Sequence, residues 1–316
     1  MKLRGFDAIT RRNTRRSIRR ITRRSIHRFG SGSALCLCLP ALLLLLLTGA
    51  ARGGELESRF AKYGETKVHY QAGGKGAEAL IFVHGWTCDS SFWRGQMSAF
   101  PAVRVVALDL PGHGRSDKPR ADYTIAYFAR SIEAVMRDAG IKRAVLVGHS
   151  MGTPVIRQFY RFYPEKTLGL VIADGALRLM LPKEQMEGFV GRLRSDYRSV
   201  APQMVDGMLM PIREAKLKGE IRKTMLSTPD YVAGSAMQGM ADEKVYEKDP
   251  IKIPVLAILA KSPFWPPDTE AFLRGLAPKL EFYMWSDVSH FLMMEKPQEF
   301  NQTVQAFLSK NNLLKK

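Results

Sequence analysis

From residue 55 onward, short apolar runs alternate with longer stretches of helical period, the pattern of a mostly parallel sheet with crossover helices. Runs at 67–71, 79–83, 103–108, 144–147, 168–173, 255–260 and 280–284 predict strands. Ile125, Phe128, Ile132, Val135, Met136 and Ala139 share one face of a helix that Gly140 closes, and a second helix over 155–163 ends at Pro164. The alternation breaks once. Between Ala173 and Ile253 there is no strand-like run, and Pro182, Pro202, Pro211 and Pro229 divide a stretch rich in methionine and charge into short pieces. This predicts a helical insertion over one end of the sheet, about 177–250, rather than a separate domain.

The first 54 residues follow a different pattern. Arginine pairs recur every four residues from Arg11 to Arg24, an uninterrupted apolar stretch runs from Ala34 to Leu47, and Thr48, Gly49, Ala50 and Ala51 follow it. Basic region, apolar region and small residues are the order of an export signal, with cleavage expected after Ala50 or Ala51. The alternative is an uncleaved membrane anchor over 34–51, which would give the chain its one contact with a lipid surface. The expected location is therefore outside the cytoplasm, periplasmic or secreted, or else tethered to the membrane.

Composition changes the picture in two places. The formal net charge of the 316 residues is +18, but residues 1–30 hold 11 Lys and Arg against Asp7 alone, leaving +8 for the rest. The basicity belongs to the leader, aromatics are not interleaved with it, and no nucleic-acid partner is expected. Cys36 and Cys38 lie in the apolar run and Cys88 stands alone, so there is no disulfide framework, and Cys88 is read as a small buried hydrophobe.

The chemistry concentrates at Gly148-His149-Ser150-Met151-Gly152, directly after the run 144–147 and at the start of the helix carrying Val155, Ile156 and Phe159. In that context G-x-S-x-G is a strand-turn-helix that presents the serine in a strained backbone position. A serine hydroxyl needs a base within reach. Of six histidines, His290 lies just beyond the last strand run, which puts it at the same sheet edge as Ser150. The backbone N–H groups of Met151 and of Trp86, in His84-Gly85-Trp86-Thr87, are the candidate donors to an oxyanion.

Val83-His84-Gly85-Trp86, then Leu108-Asp109-Leu110-Pro111-Gly112-His113-Gly114-Arg115-Ser116, then the serine pentad, then Ser289-His290-Phe291, together resemble the α/β-hydrolase family over roughly 60–312. The resemblance implies a mostly parallel eight-stranded sheet with helices on both faces and a helical cap after the sixth strand, giving one hydrolase domain over 55–316. It implies Ser150 as nucleophile and His290 as base, with Asp109 and Arg115 pinning the loop beside the site. One position departs from the family pattern. Past the family's seventh strand, the run 255–260 here, where the triad acid usually stands, the chain has Lys261-Ser262-Pro263-Phe264-Trp265 and no carboxylate before Asp268. Asp174, at the end of the family's sixth strand, the run 168–173 here, is the first choice for the acid. Asp268, which precedes a helix and reads as its N-cap, is the second, and Asp287 or no acid the remainder.

Met180, Met186, Met204, Met208, Met210, Met225, Met237 and Met240, with Phe264 and Trp265, would give the insertion a flexible apolar lining suited to a small-molecule ester or acyl substrate. A serine nucleophile argues against epoxide hydrolases and dehalogenases of this fold, which use a carboxylate. No metal-ligand spacing or phosphate loop occurs, so no cofactor is expected. The sequence therefore predicts an exported serine hydrolase of the carboxylesterase kind. The alternatives are a C–C bond hydrolase, a lactonase, or a ligand-binding receptor.

Overall fold

The computed structural model describes residues 56–314. The expected export signal or anchor over 1–54 lies outside the described residues.

Among the described residues, eight strands form one sheet in the order β1-β2-β4-β3-β5-β6-β7-β8. They are β1 (Glu57–Tyr63), β2 (Thr66–Gly73), β3 (Glu78–Val83), β4 (Arg104–Leu108), β5 (Arg143–His149), β6 (Thr167–Ala173), β7 (Val255–Ala260) and β8 (Leu280–Trp285). β2 runs antiparallel to both neighbours, β1 and β4, and every other pairing is parallel. Ten helices of the described residues accompany it: α1 (Arg94–Met97), α2 (Ile125–Asp138), α3 (Gly152–Phe162), α4 (Lys183–Ser195), α5 (Tyr197–Leu209), α6 (Ala215–Met225), α7 (Asp230–Met240), α8 (Thr269–Leu276), α9 (Leu292–Glu295) and α10 (Pro297–Lys310).

The central strands are buried on both faces, which is why they read as continuous apolar runs rather than alternations. Ile81, Phe82, Leu146, Val147, Val171 and Leu256 have no exposed surface, and burying each side chain stabilises the fold by roughly 1.5–3 kcal/mol. β1 is the strand that the apolar pattern does not predict. In Glu-Ser-Arg-Phe-Ala-Lys-Tyr only Ala61 is buried, because β1 is an edge strand held by its ladder to β2, with only Ala61 and Tyr63 packed against the core. Helix α2 follows its predicted stripe. Thr124 caps it by accepting from Tyr127 N, and Gly140 follows its end at φ 67°.

Between β6 and β7 the chain forms α4 to α7, four helices of 11–13 residues, so the prolines do not cut the insertion into short pieces as expected. Pro182 and Pro229 stand at N-cap positions, where a missing N–H is harmless, and Pro202 lies inside α5 without ending it.

The order β4-β3-β5 sets where a ligand can sit. The chain leaves β3 to one side for β4 and returns past it to β5, so the carboxyl ends of β3 and β5 flank the crevice where the strand order reverses.

Candidate active site

Ser150 follows β5 at that crevice with φ 52°, a left-handed backbone that a serine adopts only when its surroundings impose it. The surroundings are visible atom by atom. A Cβ on Gly148 would stand 2.4 Å from Gly152 O, and one on Gly152 would stand 2.4 Å from Val83 O, so strand, turn and helix pack backbone to backbone. Ser150 N donates to Ala173 O at 3.1 Å, tying the elbow to the end of β6.

Asp174 is the next residue along β6 and also has positive φ, 46°. Its Oδ1 accepts from Ala260 N at 2.7 Å and its Oδ2 accepts from His290 Nδ1 at 2.6 Å. Since Nδ1 carries the proton in that bond, Nε2 of a neutral His290 is left as the acceptor. Asp174 is 5% exposed and its carboxylate is fixed by β7, so it orients the ring without moving itself. Ser150, Asp174 and His290 all line one cavity of about 670 Å³. Ser150 Oγ forms no hydrogen bond with His290 in this conformation; contacts of this kind commonly tighten only when substrate is bound.

The structure keeps the other two candidate acids away from His290. Asp268 occupies the N-cap position of α8 but makes no capping bond. Its exposed carboxylate instead receives two bonds from the Arg178 guanidinium, at 3.0 and 2.6 Å, which hold it below its usual pKa. A bidentate cation satisfies the carboxylate more fully than one backbone N–H could, which corrects the capping expectation. Asp287 lines a neighbouring cleft with Glu295 and Lys296 and does not bond to His290.

Met151 and Trp86 are both buried. Among the described residues neither backbone N–H has a protein acceptor, so both remain available as donors. The Trp86 indole N–H donates to Ala233 O in α7 at 2.8 Å, which ties the loop after β3 to the helical insertion. The far end of that loop is fixed by Asp109, whose carboxylate accepts from Ser90 N at 2.7 Å, Arg115 N at 2.8 Å and His69 Nδ1 at 2.8 Å. Burial raises the pKa of Asp109, but these bonds outweigh it and hold the group well below the carboxylate range. Cys88 is buried, and burial pushes its thiol pKa up, in keeping with a packing role.

His149 has a part that the motif alone does not reveal. Its Nε2 donates to the main-chain oxygen of His290 at 2.8 Å, so the residue before the serine clamps the loop that carries the histidine. Burial, then the neighbouring His290, hold its pKa well below the ordinary histidine value. His84 and His113 are likewise buried, and burial is again the main cause of their lowered pKa values, His113 to about 3. In His84 the bonding fixes the neutral tautomer, since Nε2 accepts from Leu110 N while Nδ1 donates to Gly85 O. The unfolded chain therefore binds protons below pH ~6.5 that the folded chain refuses, and stability must fall as pH falls through that value. Between pH 7.5 and 5.5 His113, held at about 3, contributes about 1.4 kcal/mol of this loss, and His84 and His149 add to it in the same direction. Urea unfolding at the two pH values should show this loss; equal stabilities would mean that these rings are protonated in the fold.

Of the eight methionines expected along the insertion, Met180, Met186, Met204, Met208, Met237 and Met240 line the cavity, joined by Tyr246, Phe264 and Trp265. Met210 instead is 75% exposed and Met225 is packed within the insertion at 2%. Helix period explains the difference, because only one face of each helix looks onto the sheet. Among the described residues no group of three or more His, Cys, Asp or Glu side chains is arranged to hold a metal ion.

Residues 78–205 match the family model of the alpha/beta hydrolase fold. The chain is 28% identical over 269 residues to a 2-hydroxy-6-oxononadienedioate/2-hydroxy-6-oxononatrienedioate hydrolase of Paraburkholderia phymatum, covering 77% of this chain and 91% of that one. It is 27% identical over 250 residues to the dihydrolipoyllysine-residue acetyltransferase component of an acetoin cleaving system of Pseudomonas putida, covering 77% of this chain but 66% of that protein's length. In fold it resembles a thermophilic esterase of Thermogutta terrifontis, at TM-score 0.70 and 24% identity over 82% of this chain and 99% of the other. It also resembles the enol-lactonase of Burkholderia xenovorans LB400, at TM-score 0.70 and 22% identity over 79% and 100%.

Proposed function

Because the chain belongs to the α/β-hydrolase fold family, we propose that it is a serine hydrolase, a carboxylesterase that transfers the acyl group of an apolar ester to Ser150 and then to water. The observation that carries this reading is the Asp174–His290 bond beside a strained serine in one apolar cavity. In the proposed reaction Ser150 Oγ attacks the ester carbonyl and its proton passes to His290 Nε2, while Asp174 stabilises the imidazolium. The N–H groups of Met151 and Trp86 receive the oxyanion. The proton then goes to the departing alcohol, and water enters by the same steps in reverse. Every step uses a group of the chain, so the reaction calls for no cofactor.

A methionine-lined cavity favours a flexible acyl chain, because thioether side chains adapt to ligands of several shapes. Each buried methylene is worth about 0.8 kcal/mol, close to a fourfold change. We expect kcat/KM on p-nitrophenyl esters to rise at least about tenfold from acetate to hexanoate, with fluorophosphonate labelling confined to Ser150 within the cavity. A flat or falling series would overturn the apolar acyl site, and failure to label Ser150 would favour the receptor reading.

The likeness to the dienedioate and trienedioate hydrolase supports a second reading, C–C bond hydrolysis by the same three residues. Turnover of a vinylogous 1,5-diketone acid faster than any ester of the series would favour it. For residues 1–54 we propose export, with the mature chain beginning near Ala51; N-terminal sequencing of the protein recovered outside the cytoplasm tests it.

A further inference from the structure

A second serine, histidine and aspartate are joined in line on this molecule, away from the cavity. Ser58 Oγ lies 2.9 Å from His69 Nε2, and His69 Nδ1 lies 2.8 Å from Asp109 Oδ2. The three residues come from β1, β2 and the residue after β4, neighbouring strands at one edge of the sheet. From β1 to β5 is four strand spacings, roughly 19 Å, so this group is separate from Ser150.

The protonation pattern follows from the partners. Asp109 is anionic and accepts three bonds, so His69 Nδ1 carries the proton and donates it, which leaves Nε2 as acceptor and Ser58 Oγ as donor. Arg115 completes the set from the other side, its guanidinium donating to Ser58 Oγ at 2.9 Å while lying over the Phe60 ring. The hydroxyl thus stands between a base that can take its proton and a cation that can steady negative charge on an attacked carbonyl or phosphoryl oxygen. His69 and Asp109 are buried, whereas Ser58 and Arg115 are exposed, so the nucleophile is open to solvent and its relay is dry. Beside it Phe60 and Leu56 expose 45% and 41% of their surface, an apolar patch on which a small acyl or aryl group can rest.

We propose that Ser58 is a second nucleophile of this chain, acylated by small activated esters at the sheet edge through the His69–Asp109 relay. Ser58 Oγ attacks the carbonyl carbon, the bond to the phenolic leaving oxygen breaks, and the serine proton passes through His69 Nε2 to that oxygen. The acyl group remains on Ser58 until water, deprotonated by the same imidazole, releases it as a carboxylic acid. No oxidant, metal or further reactant takes part. An exposed serine on an edge strand needs no buried His–Asp pair for its own solvation, which is what sets this cluster apart from an ordinary strand-to-strand hydrogen bond.

The test uses the full chain carrying Ser150→Ala, treated with a fluorophosphonate and mapped by peptide mass spectrometry. With this probe the P–F bond breaks as the Oγ–P bond forms. Ser227 and Ser309, also exposed, serve as internal references. Ser58 is expected to label on the order of 10²-fold faster than either, and His69→Gln to remove most of that advantage, the size of a general-base contribution. Labelling of Ser58 at the rate of Ser227 and Ser309 overturns the proposal, and needs no variant of the buried residues to fold. Labelling that is equally fast with and without the His69→Gln change overturns the relay and leaves only an accessible serine. Ser58→Ala must abolish the labelled peptide. Since the readout is the site of the adduct, the result is independent of whether Ser150 is the nucleophile of the main cavity.

Discussion

Ser150→Ala is expected to lower kcat for p-nitrophenyl ester hydrolysis by at least on the order of 10³, with the fold intact. The size follows from the division of labour. Without a hydroxyl there is no acyl-enzyme, and only the oxyanion donors and the binding of the ester remain to accelerate attack by water. Stability should hardly move, within about 0.5 kcal/mol, because alanine tolerates φ 52° about as well as serine and the hydroxyl bonds to no neighbour that its loss would strand. Steady-state kinetics beside thermal unfolding of both proteins checks the two statements together. A variant that keeps more than about 1% of kcat after Ser58 is also replaced by alanine would remove Ser150 from the nucleophile's role, whatever its backbone conformation. A background rate from Ser58 would appear in this variant as the remaining activity that a further Ser58→Ala change removes.

Asp174→Asn is expected to cost on the order of 10³ to 10⁴ in kcat with little change in KM, by analogy with neutralising the acid of other triads. Asparagine can still accept from Ala260 N through its carbonyl oxygen, which places its amide N–H group against His290 Nδ1. That nitrogen then has to accept instead of donate, the ring proton moves to Nε2, and the base can no longer take the serine proton. The loss is one of tautomer rather than of shape, so binding survives and turnover does not. Asp268→Asn gives the contrast. Its partner is Arg178 on an exposed surface, and removing the charge loosens that pair without reaching His290, so kcat should change by less than about threefold. An active Asp174→Asn enzyme beside an inactive Asp268→Asn enzyme would reverse the assignment. Two active variants would leave the imidazole without a required acid and turn attention to Asp287.

How much of this could be read from the chain depends on how far apart the interacting groups lie. The elbow is legible because its requirements are local: an apolar strand run, two glycines where backbones meet, and a helix opening at Gly152 lie within a dozen residues. His290 is legible because it lies a few residues beyond the last strand run, and the sheet's polarity carries it to the same edge as Ser150. The acid is different. Asp174 and Asp268 both follow strands and both precede His290 in the chain, and local sequence ranks them only by the helix that opens after Asp268. What separates them is a bond from Ala260 N and another from His290, 86 and 116 residues away, against an Arg178 fork on the other candidate.

The same distinction accounts for the elements that pattern missed. β1 has almost no apolar face, and exists because β2 offers it a ladder; the insertion's helices outlast their prolines because those residues fall at caps or are tolerated inside α5. His149, His69 and His113 look alike in sequence as strand and loop histidines, yet one clamps a backbone oxygen, one bridges a serine to an aspartate, and one is held neutral by burial. Hydrophobic runs and glycine positions act over a few residues, and from them alone follow the parallel sheet, the serine elbow and the histidine loop. Which carboxylate meets His290, which methionines face the cavity and which serine outside it has a base at hand follow only from the assembled fold. Those outcomes depend on hydrogen bonds and burial between segments that meet only after the sheet has formed.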